Sequence, residues 1–180
     1  VLTPPISGTL STPAELASRL TDGINGLALG TGIANIKSGT SSEFKVGTNN
    51  IQLGVIGDGI PDIVVSQVAQ PNSTVDSFRF VDVNGTIIGN AVNVAFTAIP
   101  AVGTYRLDLF NSNNGTIASG FSANDARDIR LLAMDLTSFG ITDVNAAQVD
   151  RFVVSFSGSS DCAFIAFNTN SLKIAELGLV

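Results

Sequence analysis

Two carboxylates four residues apart, in Gly57-Asp58-Gly59-Ile60-Pro61-Asp62, are the residues of this chain whose type and spacing come closest to a recognisable chemistry. Calcium takes about 6 to 8 oxygen ligands, and glycines beside aspartates let backbone carbonyls turn inward to supply some of them. Asp58 and Asp62 are therefore candidate calcium ligands, with Asp76, Asp82 and Asp161 available from other loops to complete a site. The competing expectation is a plain turn, in which Asp58 caps its own backbone and Pro61 opens the next strand.

Other chemistries lack their parts. The 180 residues contain no His and no Trp, one Tyr and one Cys. Gly158-Ser159-Ser160-Asp161 invites a serine-nucleophile reading, but no His can serve as its base and no Gly-x-Ser-x-Gly elbow is present. A glycosidase needs two carboxyl groups at a set separation, one with a raised pKa, and none stands in a diagnostic setting. The expectation is a protein that is not an enzyme. Sugar-stacking platforms commonly use Trp and Tyr, and Tyr105 alone is available, so a glycan site would have to work through calcium, Asp and Asn. Cys162 cannot form an internal disulfide and reads as a small buried residue. Asn72, Asn84 and Asn114 open formal glycosylation sequons that turn chemistry explains equally well.

The net charge of −6 opposes phosphate backbones, so nucleic acid is not an expected partner. No apolar run approaches the ~20 residues of a membrane span, and no membrane insertion is expected. The chain begins at Val1 without Met and carries no charged-then-apolar leader, as a mature or excised chain would.

The elements that must position these residues are mostly strands. Val92, Val94 and Phe96, then Tyr105, Leu107 and Leu109, then Phe152, Val154 and Phe156 recur at a period of two, each series forming one apolar face. Asn84-Gly85 predicts a type I′ hairpin, and Asn113-Asn114-Gly115 predicts a turn between a strand ending near Phe110 and one starting near Thr116. Cys162 to Phe167 is apolar on both parities, which predicts a central, strongly buried strand. Residues 129 to 136 fit strand and helical stripes, with strand favoured, and a short helical turn is expected at Asn145 to Val149. Thr12-Pro13-Ala14-Glu15 predicts a helix start and a helix of about two turns, to near Asp22-Gly23. Residues 1 to 11, with Pro4 and Pro5, read as a linker or edge-strand arm, and residues 12 to 180 as one domain. The expected fold is all-β: an antiparallel two-sheet β-sandwich of jelly-roll type, with ten or eleven short strands and one short N-terminal helix.

Two resemblances accompany these readings. Asp58-Gly59-Ile60-Pro61-Asp62 resembles the end of a thrombospondin type 3-like calcium repeat, although Gly54 and Ile56 stand where such repeats carry further aspartates. Leu20-Thr21-Asp22-Gly23-Ile24-Asn25-Gly26-Leu27-Ala28-Leu29-Gly30-Thr31-Gly32, Ile56 to Ile63, and Arg151 to Asn168 with its Ser157-Gly158-Ser159-Ser160-Asp161 core are similar to sandwich modules of large secreted surface proteins of Bacteroidota. That similarity implies type IX secretion, an extracellular cell-surface location, and a role in cell adhesion or gliding motility as part of an adhesin or filament. Its expected partners are neighbouring domains of the same long chain or other surface proteins. Two alternatives stand beside it: a calcium-dependent carbohydrate-binding domain that contacts glycans, and a self-assembling fibre or capsid-like subunit.

Overall fold

The computed structural model describes Thr12, Pro13, Leu20 and residues 30–172 apart from 113 and 159. The arm at residues 1 to 11 lies outside the described residues, as does the expected N-terminal helix apart from Thr12, Pro13 and Leu20. The described residues form ten strands: β1 (Thr31–Ile36), β2 (Ser41–Lys45), β3 (Ile63–Val68), β4 (Asp76–Val81), β5 (Ile87–Val94), β6 (Gly103–Asn111), β7 (Asp125–Met134), β8 (Arg151–Ser155), β9 (Ser160–Cys162) and β10 (Ile165–Phe167). They make two sheets, ordered β10-β3-β7-β6-β1-β9 and β2-β8-β4-β5. Among the described residues no helix is long and apolar enough to cross a membrane.

One pairing departs from the antiparallel expectation. β1 runs parallel to β6, Thr31 opposite Asp108 and Ala34 opposite Asn111. Parallel neighbours need a long crossover, and here the chain passes through β2, β4 and β5 of the other sheet between the two strands. β6 serves two partners in succession, pairing with β7 over Gly103 to Leu107 and with β1 from Asp108 onward.

The larger sheet curls until its two ends meet in one stretch of chain. β9 lies against β1 and β10 against β3, and only Ala163 and Phe164 separate β9 from β10. The Ser66 amide donates to the Phe164 carbonyl, which extends the β3 ladder into that link. The Ser66 hydroxyl accepts from the amides of Ala163 (3.0 Å) and Phe164 (2.7 Å) and lies 2.8 Å from the Phe164 carbonyl. The bend thus keeps its backbone groups paired, as buried amides require.

The main core fills the space between the sheets. Phe44, Phe78, Phe80, Phe152 and Val154 from the smaller sheet meet Ile33, Ile36, Ile63, Val65, Met134 and Ile165 from the larger. Phe152 is central: its ring centroid lies 5.2 Å from Phe80, 5.8 Å from Phe167, 5.9 Å from Phe139, 6.0 Å from Phe44 and 6.5 Å from Phe78. A second, smaller core of Ala34, Val68, Leu107, Leu109, Ala118 and Ala163 uses the opposite parity of the larger sheet. Gly32 belongs to that close-packed region, where an added Cβ would lie 2.9 Å from both Leu107 and Leu109. At the rim of the smaller sheet, Gly89 (φ +74°) lets β5 press against the turn that follows β7, since a Cβ there would sit 2.1 Å from the Phe139 carbonyl.

Several local expectations meet their outcome here. Of the stretch from 129 to 136, residues 129 to 134 are strand, inside β7, while Asp135 caps a 3-10 turn that starts at Leu136. The expected turn before β8 is a 3-10 turn at Ala146–Gln148. The Asn84-Gly85 hairpin is not type I′, because Asn84 does not adopt a positive φ and only Gly85 (+85°) does. The Asp82 carboxylate accepts from the amides of Asn84 and Thr86, both at 2.8 Å, and holds a longer turn closed by Asp82 N–H to Thr86 C=O. The strand expected from Thr116 shrinks to an isolated bridge between Ile117 and Phe110. The expected single strand from Cys162 to Phe167 is broken by the bend at Ala163 and Phe164, and it lies between β1 and β3 as a two-sided apolar segment should.

Replacing Phe152 with Ala removes one ring from contact with five others and is expected to cost about 3–5 kcal/mol of unfolding free energy. Urea denaturation checks it; a loss below about 1 kcal/mol would mean the two sheets do not share this ring as a common anchor.

Candidate functional site: the carboxylates and the Asp76 cleft

The loop from Gly57 to Asp62 uses its carboxylates for structure. Asp58 is exposed, and its Oδ1 accepts from the Ile60 amide at 2.8 Å, the local turn expected of such a residue. Asp62 is buried at the start of β3, with Oδ2 accepting from the Leu136 amide at 2.7 Å and Oδ1 hydrogen-bonded to the Ser171 hydroxyl. Its own backbone pairs with the Met134 carbonyl and the Asn168 amide. Burial pushes the Asp62 pKa up, and the bonds from Ser171 and Leu136 oppose it without cancelling it. The loop glycines turn amide hydrogens toward Asp135. Partial burial of Asp135 raises its pKa, but bonds from Thr137, Gly59 and Gly57 outweigh that effect and hold it below the ordinary carboxylate value. This polarity, amide hydrogens around a carboxylate, is that of an anion cradle. Among the described residues no group of three or more His, Cys, Asp or Glu side chains converges as a metal centre would require.

The other aspartates do not join Asp58 and Asp62. Asp82 holds the β4–β5 hairpin. Asp161, in β9, is buried and accepts from the Asn35 amide at 2.8 Å, where Asn35 (φ 55°) sits in the irregular register between Ile33 and Ile36. Burial pushes the Asp161 pKa up to about 6, against opposing pulls from the Asn35 amide and the Arg127 charge. Two buried carboxylates escaped the sequence reading. Asp108 accepts from the Asn124 amide. Asp150 is ion-paired with Lys45 and with Arg151, whose Nε lies 3.3 Å away without hydrogen-bond alignment. The local signal was available, because Asp150 has the same parity as Phe152, Val154 and Phe156 and stands two residues before that apolar series.

Asp76 is the best-formed feature. The first residue of β4 and buried, it lines a shallow surface cleft with Gln67, Pro71, Asn72, Thr74 and Ser157. Its Oδ1 accepts from the Ser157 amide (2.8 Å), the Ser157 hydroxyl (2.8 Å) and the Ser160 hydroxyl (3.1 Å). Among the described residues its Oδ2 meets the Ser160 hydroxyl alone, also at 3.1 Å. The Thr74 hydroxyl lies 2.6 Å from that of Ser157, and the Asn72 amide nitrogen donates to the Gly158 carbonyl. The segment that suggested a nucleophile therefore wraps a carboxylate, with Ser160 among its donors; Ser159 lies outside the described residues. Cys162 is fully buried, and burial pushes its thiol up to about 12, as an inert structural thiol requires.

The chain matches no protein-family model, no curated protein and no solved structure.

Two measurements test these assignments. The folded chain holds the Asp161 proton more tightly than the unfolded chain, so the cost of this carboxyl to stability is absent below pH 3.8 and complete above about 6. Asp161→Asn keeps an acceptor for the Asn35 amide and removes the charge. It is expected to be more stable than the unmodified chain at pH 7.5 by roughly 1–3 kcal/mol, with the gap closing toward pH 4; a gap that does not vary with pH would refute the assignment. EDTA is expected to leave the melting temperature unchanged, because both Asp62 oxygens already have protein donors. A fall reversed by added calcium would reveal a bound ion, which must stabilise by mass action.

Proposed function

We propose that the protein is a non-enzymatic extracellular module of a cell-surface adhesin or filament protein, serving attachment or gliding, or separating its neighbours as a structural spacer. The observation that carries this reading is how the carboxylates are used. Asp62, Asp76, Asp82, Asp108, Asp135 and Asp161 each accept hydrogen bonds from loop or bulge amides. Side chains that would otherwise be free for acid–base work instead brace the ends of a two-sheet body. That use suits a part that must keep its shape while neighbouring domains or other surface proteins pull on it. The absence of His from the sequence removes the side chain most often used for proton transfer near neutral pH.

The test uses intact cells of the source organism. An antibody raised against this chain is expected to label them without permeabilisation, and deleting the coding segment is expected to lower surface attachment or gliding while growth continues. Labelling that needs permeabilised cells would overturn the reading.

A further inference from the structure

We propose that the cleft at Asp76 is a binding site for a primary ammonium group, such as that of a lysine side chain or an amino sugar. The inference does not depend on the adhesin reading. It begins with the carboxylate: Asp76 is 5% exposed, yet among the described residues no Lys or Arg forms an ion pair with it. Buried charges are normally paired, and here the donors are hydroxyls and one amide. Among the described residues Oδ2 has one hydroxyl partner, shared with Oδ1, which leaves acceptor capacity on that oxygen.

The lining selects among ligands. Besides Asp76 it offers the hydroxyls of Thr74 and Ser157 and the Gly158 carbonyl, while its two side-chain amide donors are committed, that of Asn72 to the Gly158 carbonyl and that of Gln67 to the Val68 carbonyl. An acceptor-rich lining fits a group with three N–H donors and no acceptor, which describes an ammonium. Pro71 and Phe96 supply apolar wall for methylenes. A single carboxylate is a poor match for calcium, which gathers about 6 to 8 oxygens, several of them usually acidic. The net charge of −6 favours the approach of cations to the molecule as a whole.

The test is an NMR titration of the ¹⁵N-labelled chain, following the amides of Ser157, Gly158 and Ser160. The probes are Nα-acetyl-lysine methylamide and glucosamine, each beside its neutral N-acetylated counterpart. Saturable shifts are expected with the amines and roughly tenfold weaker binding with the neutral forms, since charge-assisted hydrogen bonds are about twice as strong as neutral ones. The tighter of the two amines identifies the source as peptide or amino sugar. Asp76→Asn, folded by its own spectrum, is expected to lose the response; should it not fold, the charged-against-neutral comparison on the unmodified chain decides. Equal shifts from the neutral forms, or no saturable shift from either amine, would overturn the proposal.

Discussion

The burial of Phe152 between the sheets is the contact on which the rest of the structure depends. It sits in β8, whose two neighbours are β2 and β4, and its ring meets Phe44 from the first and Phe78 and Phe80 from the second. Across the core it reaches Phe167 of β10, and beyond the strand ends it touches Phe139. Five aromatic neighbours around one ring tie both sheets and the turn after β7 into one packing unit. Aromatic pairs add to simple area burial, so this unit concentrates cohesion where the sheets face each other.

The polar part of the structure follows from that packing. Once the sheets are held face to face, loops must cross their ends and bring backbone amides out of water. Aspartate is the short, charged acceptor used at these crossings. Asp62 joins the start of β3 to Leu136 and Ser171, Asp76 joins β4 to the chain after β8, and Asp161 joins β9 to the irregular part of β1. Not all of these carboxylates sit comfortably. Those of Asp62 and Asp161 have raised pKa values because burial outweighs their hydrogen bonds. Asp76 differs in its setting: it lines a surface cleft, and its partners among the described residues are hydroxyls and one amide rather than a cation.

Much of the architecture was legible in the chain as a string. Period-two alternation located β6 through Tyr105, Leu107 and Leu109 and β8 through Phe152 and Val154, because a pleated strand with one buried face must alternate. Of residues 129 to 136, those to Met134 are strand and pair with β3, while Asp135 and Leu136 turn away into a 3-10 segment. The turn reading of Asp58 was visible because Asx turns are closed within a few residues. The hairpin at Asn84-Gly85 shows where local reading stops. Its dipeptide favours type I′, yet the Asp82 side chain captures two amides and selects another geometry.

By itself, then, the sequence determined the class of element, the apolar faces and the poverty of catalytic side chains, all of which depend on residues near one another in the chain. Only the tertiary structure decided the parallel pairing of β1 with β6, the bend that lets residues 160–167 serve both β1 and β3, and the gathering of Thr74, Asp76, Ser157 and Ser160 in one cleft. Each joins segments tens of residues apart. The physical reason is that strand hydrogen bonds and buried carboxylates accept any partner of suitable geometry, so the partner is chosen by how the sheets pack and not by the residues that flank it.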